Sequence, residues 1–101
     1  MTALHLSAKE GHVKIVQELL SNNADPNRTT NRGNTAMHIA SLAGQVEVIN
    51  QLLEVKAQVD VQAQGGFTPL YMAAQEKGKF EKKWVQNEFY FLSVFHASLN
   101  L

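Results

Sequence analysis

The sequence contains no cysteine. A disulfide framework and a thiol nucleophile are both excluded, and any zinc site would have to be built from histidine and carboxylate alone. The absence fits a reducing compartment. Charge of one sign is lacking too: nine Lys and Arg balance nine Asp and Glu, so no net field draws in nucleic acid or an anionic membrane. Long apolar runs are missing. The longest, residues 89–95, is broken by Ser93, far short of the roughly 20 residues a membrane-spanning helix needs. Residues 1–5 show no basic segment leading into an apolar stretch, so no secretory leader is expected. There is also no Gly-rich phosphate loop and no Gly-x-Ser-x-Gly elbow. What remains is 101 residues, 45% hydrophobic, about one domain with a modest core.

What is present is repetition. Thr2-Ala3-Leu4-His5 returns as Thr35-Ala36-Met37-His38 and again as Thr68-Pro69-Leu70-Tyr71, each copy 33 residues after the last. Ser7-Ala8 returns as Ala40-Ser41 and Ala73-Ala74, Gly11 as Gly44, Leu19-Leu20 as Leu52-Leu53, Ala24 as Ala57, and Gly33 as Gly66. After each of Gly11 and Gly44 the apolar residues fall at helical spacing: Val13, Val16, Leu19 and Leu20, then Val46, Ile49, Leu52 and Leu53. Each stripe is about two turns long, too short to be stable alone, and must be buried against neighbours. Before each glycine lies a shorter helix whose inner positions are small, which lets two antiparallel helices approach closely. Thr35 is placed to cap that helix, and Pro69 suits the first helical position of the third copy. Gly11 and Gly44 sit where the chain leaves one helix for the next, a place for positive φ. Segments 25–34 and 58–67 then read as extended arms, with Gly33 and Gly66 at their turns.

A period near 33 with a Thr-Pro-Leu-His-like opening resembles the ankyrin repeat over roughly residues 2–76. The stretches Gly33-Asn34-Thr35-Ala36-Met37-His38-Ile39-Ala40-Ser41-Leu42-Ala43-Gly44 and Gly66-Phe67-Thr68-Pro69-Leu70-Tyr71-Met72-Ala73-Ala74-Gln75-Glu76 are most similar to the N-terminal, membrane-protein-binding repeats of the ankyrins, adaptors to the spectrin skeleton. The resemblance implies an all-α solenoid of stacked antiparallel helix pairs joined by turn or hairpin arms, with repeat one at 1–33, repeat two at 34–66 and the start of repeat three at 67–76. It also implies that the His5 and His38 imidazoles bond neighbouring backbone and tie adjacent turns together. The family usually has glycine just before Ala24 and Ala57. Asn23 tolerates that left-handed position, whereas Lys56 does so at a cost of about 1 kcal/mol, which predicts strain or fraying at the end of repeat two.

The template fails after Glu76. Lys77 stands where glycine is expected, and Lys79, Lys82 and Gln86 fill core positions. Six of the eight aromatics lie at Phe80, Trp84, Phe89, Tyr90, Phe91 and Phe95. Residues 77–101 read as foreign to the array. Three alternatives stand: a partial, substitute helix presenting Phe80 and Trp84 as a cap, an uncharged, β-prone and sticky run at 89–92, or disorder. Met1 falls just before the first threonine, so the arm that would precede repeat one is missing. Two complete repeats, where arrays need about three, predict marginal stability.

Catalysis and metal binding find little support. No two histidines lie three to five residues apart, so a helix-borne zinc pair is not expected. Ser7 and Ser41 occupy packing positions, and Glu10, Glu18, Glu47 and Glu54 read as solvent-face charges. Lys77, Lys79, Lys82 and Lys83 are interleaved with Glu76, Glu81 and Glu88, a solvated face rather than a nucleic-acid stripe. No enzyme activity, cofactor or metal is expected. The resemblance instead implies a protein-binding groove lined by arm tips and first helices: Asn31, Arg32 and Asn34; Gln64, Gly65 and Phe67; Lys9 and Glu10; Leu42 and Ala43; Gln75 and Glu76. An apolar strip of Phe67, Leu42 and Ala43 with a polar rim suits a protein interface. The implied partners are extended cytoplasmic segments of membrane transporters, channels or adhesion proteins. The implied location is cytoplasmic, at the inner face of the plasma membrane or its skeleton. The spectrin-binding and death-domain regions are absent, so the chain would occupy a partner without linking it to the skeleton. The alternative readings are a tail that docks on a membrane surface and a truncated product with no selected role.

Overall fold

A computed structural model describes residues 1–75, with side chains to residue 73. The expectations for residues 77–101, cap helix, sticky strand, disorder or membrane-docking tail, lie outside the described residues. Five helices follow one another: α1 Ala3–Glu10, α2 Val13–Ser21, α3 Ala36–Ala43, α4 Val46–Glu54 and α5 Pro69–Gln75. There is no strand among the described residues. α1 packs on α2 and α3 on α4 as antiparallel pairs, while α1 with α3, α3 with α5 and α2 with α4 join one repeat to the next. This nearest-neighbour stacking is how short helices that cannot stand alone share a core.

The boundaries follow from local chemistry. Thr2 and Thr35 cap α1 and α3, each hydroxyl accepting from the backbone N–H three residues on. Gly11 and Gly44 end those helices at φ 75, the left-handed conformation expected of them. A β-carbon on Gly11 would also stand 2.5 Å from the Gln45 side chain, which reaches across to the Lys9 carbonyl. Gln51 makes the second bond of this kind, donating to the Val13 carbonyl at 3.1 Å. α5 begins at Pro69, as its missing N–H allows.

The left-handed exits fall at Asn23 (φ 68) and Lys56 (φ 60), the two places where glycine would sit. A lysine there costs about 1–2 kcal/mol in the left-handed region, against about 0.5–1 kcal/mol of extra unfolded-state freedom for glycine. Lys56→Gly is therefore expected to raise stability by about 0.5–1 kcal/mol, seen as a higher urea midpoint with unchanged slope; no rise would mean that Lys56 is not strained.

The core is Leu4, Ala8, Val16, Ala36, Met37, Ala40, Val48, Ile49, Leu52, Ala57, Val59 and Ala73, with Val13, Leu19, Leu20, Val46, Leu53 and Leu70 packed at its margin. One correction follows. Val48 is fully buried although it lies off the stripe read from the sequence, while Val46 and Leu53 on that stripe are half-buried. The reason is position in the stack. Val48 faces repeat one, whereas its counterpart Ile15 is 48% exposed because no described helix pair covers repeat one on that side.

Candidate protein-binding surface

The arms owe their positions to the two buried histidines. In repeat two the Thr35 N–H donates to His38 Nδ1 at 3.0 Å, and the Thr35 hydroxyl lies 2.9 Å from the same nitrogen while accepting from the His38 N–H. A backbone N–H can only donate, so Nδ1 is the acceptor and the ring proton sits on Nε2. Nε2 then donates to the Phe67 carbonyl at 2.9 Å. One neutral imidazole thus starts α3 and holds the tip of the next arm. Burial pushes His38 below its ordinary pKa, partly offset by the Phe67 and Val61 carbonyls, which favour the charged ring. Repeat one repeats the motif with Thr2 and His5, but there Nε2 reaches Arg28, earlier in its arm, at 2.9 Å.

Each tip is a closed turn. The Thr30 N–H donates to the Asn34 carbonyl and the Gly33 N–H to Thr30; in the next arm Ala63 donates to Phe67 and Gly66 to Ala63. The arms are bound to each other where the Gln64 N–H donates to the Arg32 carbonyl and the Gln58 N–H to the Asn27 side chain, both at 2.8 Å.

Of the residues expected to line a groove, Lys9, Glu10, Asn31, Arg32, Gln64 and Gly65 are exposed, as are Leu42 and Phe67. Arg32 and Gln64 are joined by their backbone bond, and Phe67 packs on Gly65, where an added β-carbon would stand 3.0 Å from the ring. Ala43 is half-buried. Asn34, whose carbonyl closes the turn, is half-buried and its side-chain oxygen is shut off from solvent. The Gln75 side chain and Glu76 lie outside the described residues.

His5, His38 and Ser7 take structural partners, whereas the Ser41 hydroxyl is buried among the described residues without a hydrogen-bond partner. The Ser7 hydroxyl bonds back to the Ala3 and Leu4 carbonyls of its own helix, and His12 stands exposed before α2 with no side-chain cap bond. Among the described residues no group of three His, Asp or Glu is placed to hold a metal ion. A shallow depression of about 220 Å³ between Gly11, Val13 and residues 44–48 has Glu47 as its one ionisable side chain, and is smaller than a usual ligand pocket.

Stacked helix pairs, capping threonines and imidazoles bonded to the following arm point to one architecture, and the family model described as Ankyrin repeats (3 copies) matches residues 4–83. The chain belongs to the ankyrin-repeat family. No curated protein gives a significant match. The matched span reaches past Glu76 into the stretch that departs from the template. Ankyrin repeats are protein-protein interaction modules and generally non-catalytic. No helix of this array among the described residues is long and apolar enough to cross a membrane.

One surface residue of the array escapes a reading by motif. Tyr71 holds the place of His5 and His38, yet it is 46% exposed and stacks on Phe67 with ring centroids 5.1 Å apart and planes at 20°. Its signal was present as two coupled departures: tyrosine for histidine in the third copy, and Phe67 where the second copy has Asn34.

Proposed function

We propose that this ankyrin-repeat array is a non-catalytic binding module whose concave side takes extended cytoplasmic segments of membrane transporters, channels or adhesion proteins. The observation that carries the reading is the pair Leu42 and Phe67. Each is 41% exposed, one on a first helix and the other on an arm tip, the two elements that line the groove of an ankyrin repeat. A large apolar side chain left open on each, among exposed Lys9, Glu10, Arg32 and Gln64, gives an apolar centre with a polar rim. A groove of two repeats is small and its affinities belong at the weak end. The same reading places the chain at the cytoplasmic face of the plasma membrane.

The test is a binding titration with peptides from the cytoplasmic segments of a transporter, a channel and an adhesion protein, on the parent and on Leu42→Glu with Phe67→Glu. The double variant is expected to stay folded with a urea midpoint lowered by no more than the loss of the Phe67–Tyr71 stack, about 1 kcal/mol, and to lose about tenfold or more in affinity. Equal binding by parent and variant would remove the concave side from consideration.

A further inference from the structure

Repeats one and two differ in what lies on one side of them. α3 and α4 have α1 and α2 stacked against them, while among the described residues no helix stacks on α1 and α2 from that side. α1 and α3 each carry the next first helix on their other side, so a position more buried in repeat two than in repeat one is one that repeat one covers. Ala36, Val48 and Leu52 are buried; their counterparts Ala3 and Ile15 are exposed and Leu19 is half-buried. Leu6 is exposed where Ile39 is half-buried. Together they form one open apolar face on α1 and α2. The polar positions of that face differ as well. In repeat two, Gln45 and Gln51 donate across to the Lys9 and Val13 carbonyls, both at 3.1 Å. Thirty-three residues earlier stand His12 and Glu18, both exposed. A carboxylate has no proton to give a carbonyl, so another helix pair stacked in the same register would set Glu18 against a carbonyl oxygen. The face instead fits an occupant with an apolar centre and a donor opposite Glu18.

We propose that the outer face of repeat one is a homodimer interface, occupied by the same face of a second copy of this chain about a two-fold axis through Ile15. The reason is self-complementarity. In an antiparallel pair of α2 helices related by that axis, a residue a given number of places before position 15 lies level with the one equally far after it on the partner. His12 stands three places before Ile15 and Glu18 three places after, so both flank Ile15 on one face of the helix. Each copy's imidazole therefore meets the other's carboxylate, twice, around Ile15 packed on Ile15. The His12 side chain makes no cap bond that would hold it elsewhere. A contact of this kind is isologous and closes at two copies. Leu6 and Leu19 widen its apolar centre, and the two charged pairs form its rim. The face lies at the far end of the row α1, α3, α5 from Gln75, after which residues 76–101 follow. Two short helices per copy make a small interface, so the dimer is weak. It uses neither an arm tip nor Leu42 or Phe67. Taken with the concave-side reading, on which this one consequence rests, it joins two weak grooves into a bivalent particle.

The test is sedimentation equilibrium of the full chain from about 10 μM to 1 mM, where a dimer with Kd near about 0.1 mM is expected. Ile15→Asp is expected to weaken it about tenfold or more. His12→Glu opposes two carboxylates and Glu18→Lys opposes two basic groups, so each variant alone is expected to self-associate about tenfold more weakly. Mixed in equal amounts, the two are expected to recover the parent's affinity. In the mixed dimer one pair is the original and the other is its charge-reversed image. Only a contact between two copies can be restored in this way. All three positions are exposed, so the variants are expected to keep the parent's far-UV spectrum and urea midpoint; if Ile15→Asp loses its transition, the two charge variants decide alone. Three results would each overturn the proposal. A parent monomeric at about 1 mM would give the face to residues 76–101 or to solvent. A folded Ile15→Asp that dimerises like the parent would put the contact elsewhere. A mixture no tighter than either variant alone would remove the pairing of His12 with Glu18. The concave-side reading stands or falls separately, on Leu42 and Phe67 with the membrane-protein peptides.

Discussion

Leu52→Ala is expected to cost about 3 kcal/mol, while the same change at Leu19, one repeat earlier, costs about half as much. The two leucines hold the same register position in α4 and α2, so propensity and unfolded-state effects are nearly equal, and the difference isolates burial. Leu52 is fully buried and belongs to the central cluster. Truncating such a side chain forfeits its transfer free energy and leaves a cavity, together about 2–5 kcal/mol. Leu19 is half-buried at the margin; part of its surface is already wet, and the gap can fill with solvent. A domain of this size has a stability at the low end of about 5–15 kcal/mol, so Leu52→Ala removes a large share of it. Urea titrations followed by far-UV circular dichroism measure both variants. Equal losses would contradict the asymmetry between the covered and the open side of the stack.

The second large effect belongs to His38. His38→Ala removes the acceptor for the Thr35 N–H and the donor to the Phe67 carbonyl. Losing half a capping box costs about 1 kcal/mol, and stranding buried polar groups costs about 1–3 kcal/mol more, so a total near 3 kcal/mol is expected. The neutral ring also makes stability depend on pH. Its pKa in the folded chain lies below the ordinary 6.5, so on acidification the unfolded chain binds a proton before the folded one does. The stabilisation is complete above pH 6.5 and is lost as pH falls from 6.5 towards the folded value. Protonation would also turn Nδ1 into a donor facing the Thr35 N–H. The groups facing the ring from α3 and from the next arm, the Thr35 N–H and hydroxyl and the Phe67 and Val61 carbonyls, carry no net charge. The charged side chains of the helices packed on α3, Lys9, Glu10, Glu47 and Glu54, are exposed. The urea midpoint of the parent is therefore expected to drop between about pH 7.5 and 5.5, and that of His38→Gln, which cannot titrate, to drop less. Parallel losses in the two would assign the acid sensitivity elsewhere.

Much of this protein was legible along the chain because its determinants are local. A threonine three residues before a histidine, a glycine at the end of each first helix and apolar residues at helical spacing act within one or two turns, and the 33-residue period states them twice in full. Even the left-handed Lys56 followed from its place before Ala57. The candidate surface was legible in part. Leu42, Phe67, Arg32 and Gln64 are exposed, whereas the Asn34 side-chain oxygen is turned away from solvent at its turn, an orientation set by turn packing that residue type does not reveal.

By itself the sequence determined the repeat, the helix ends, the turns and the absence of disulfide and thiol chemistry, since each depends on residues close in the chain or on composition alone. Only the tertiary structure decided what equivalent positions become. Val48 is buried and Ile15 is not; His38 is buried and holds the next arm, whereas Tyr71, in the same position one repeat on, stacks on Phe67. Identical register meets different neighbours along a stack, and burial, hydrogen-bond partner and exposure are properties of the neighbour as much as of the residue.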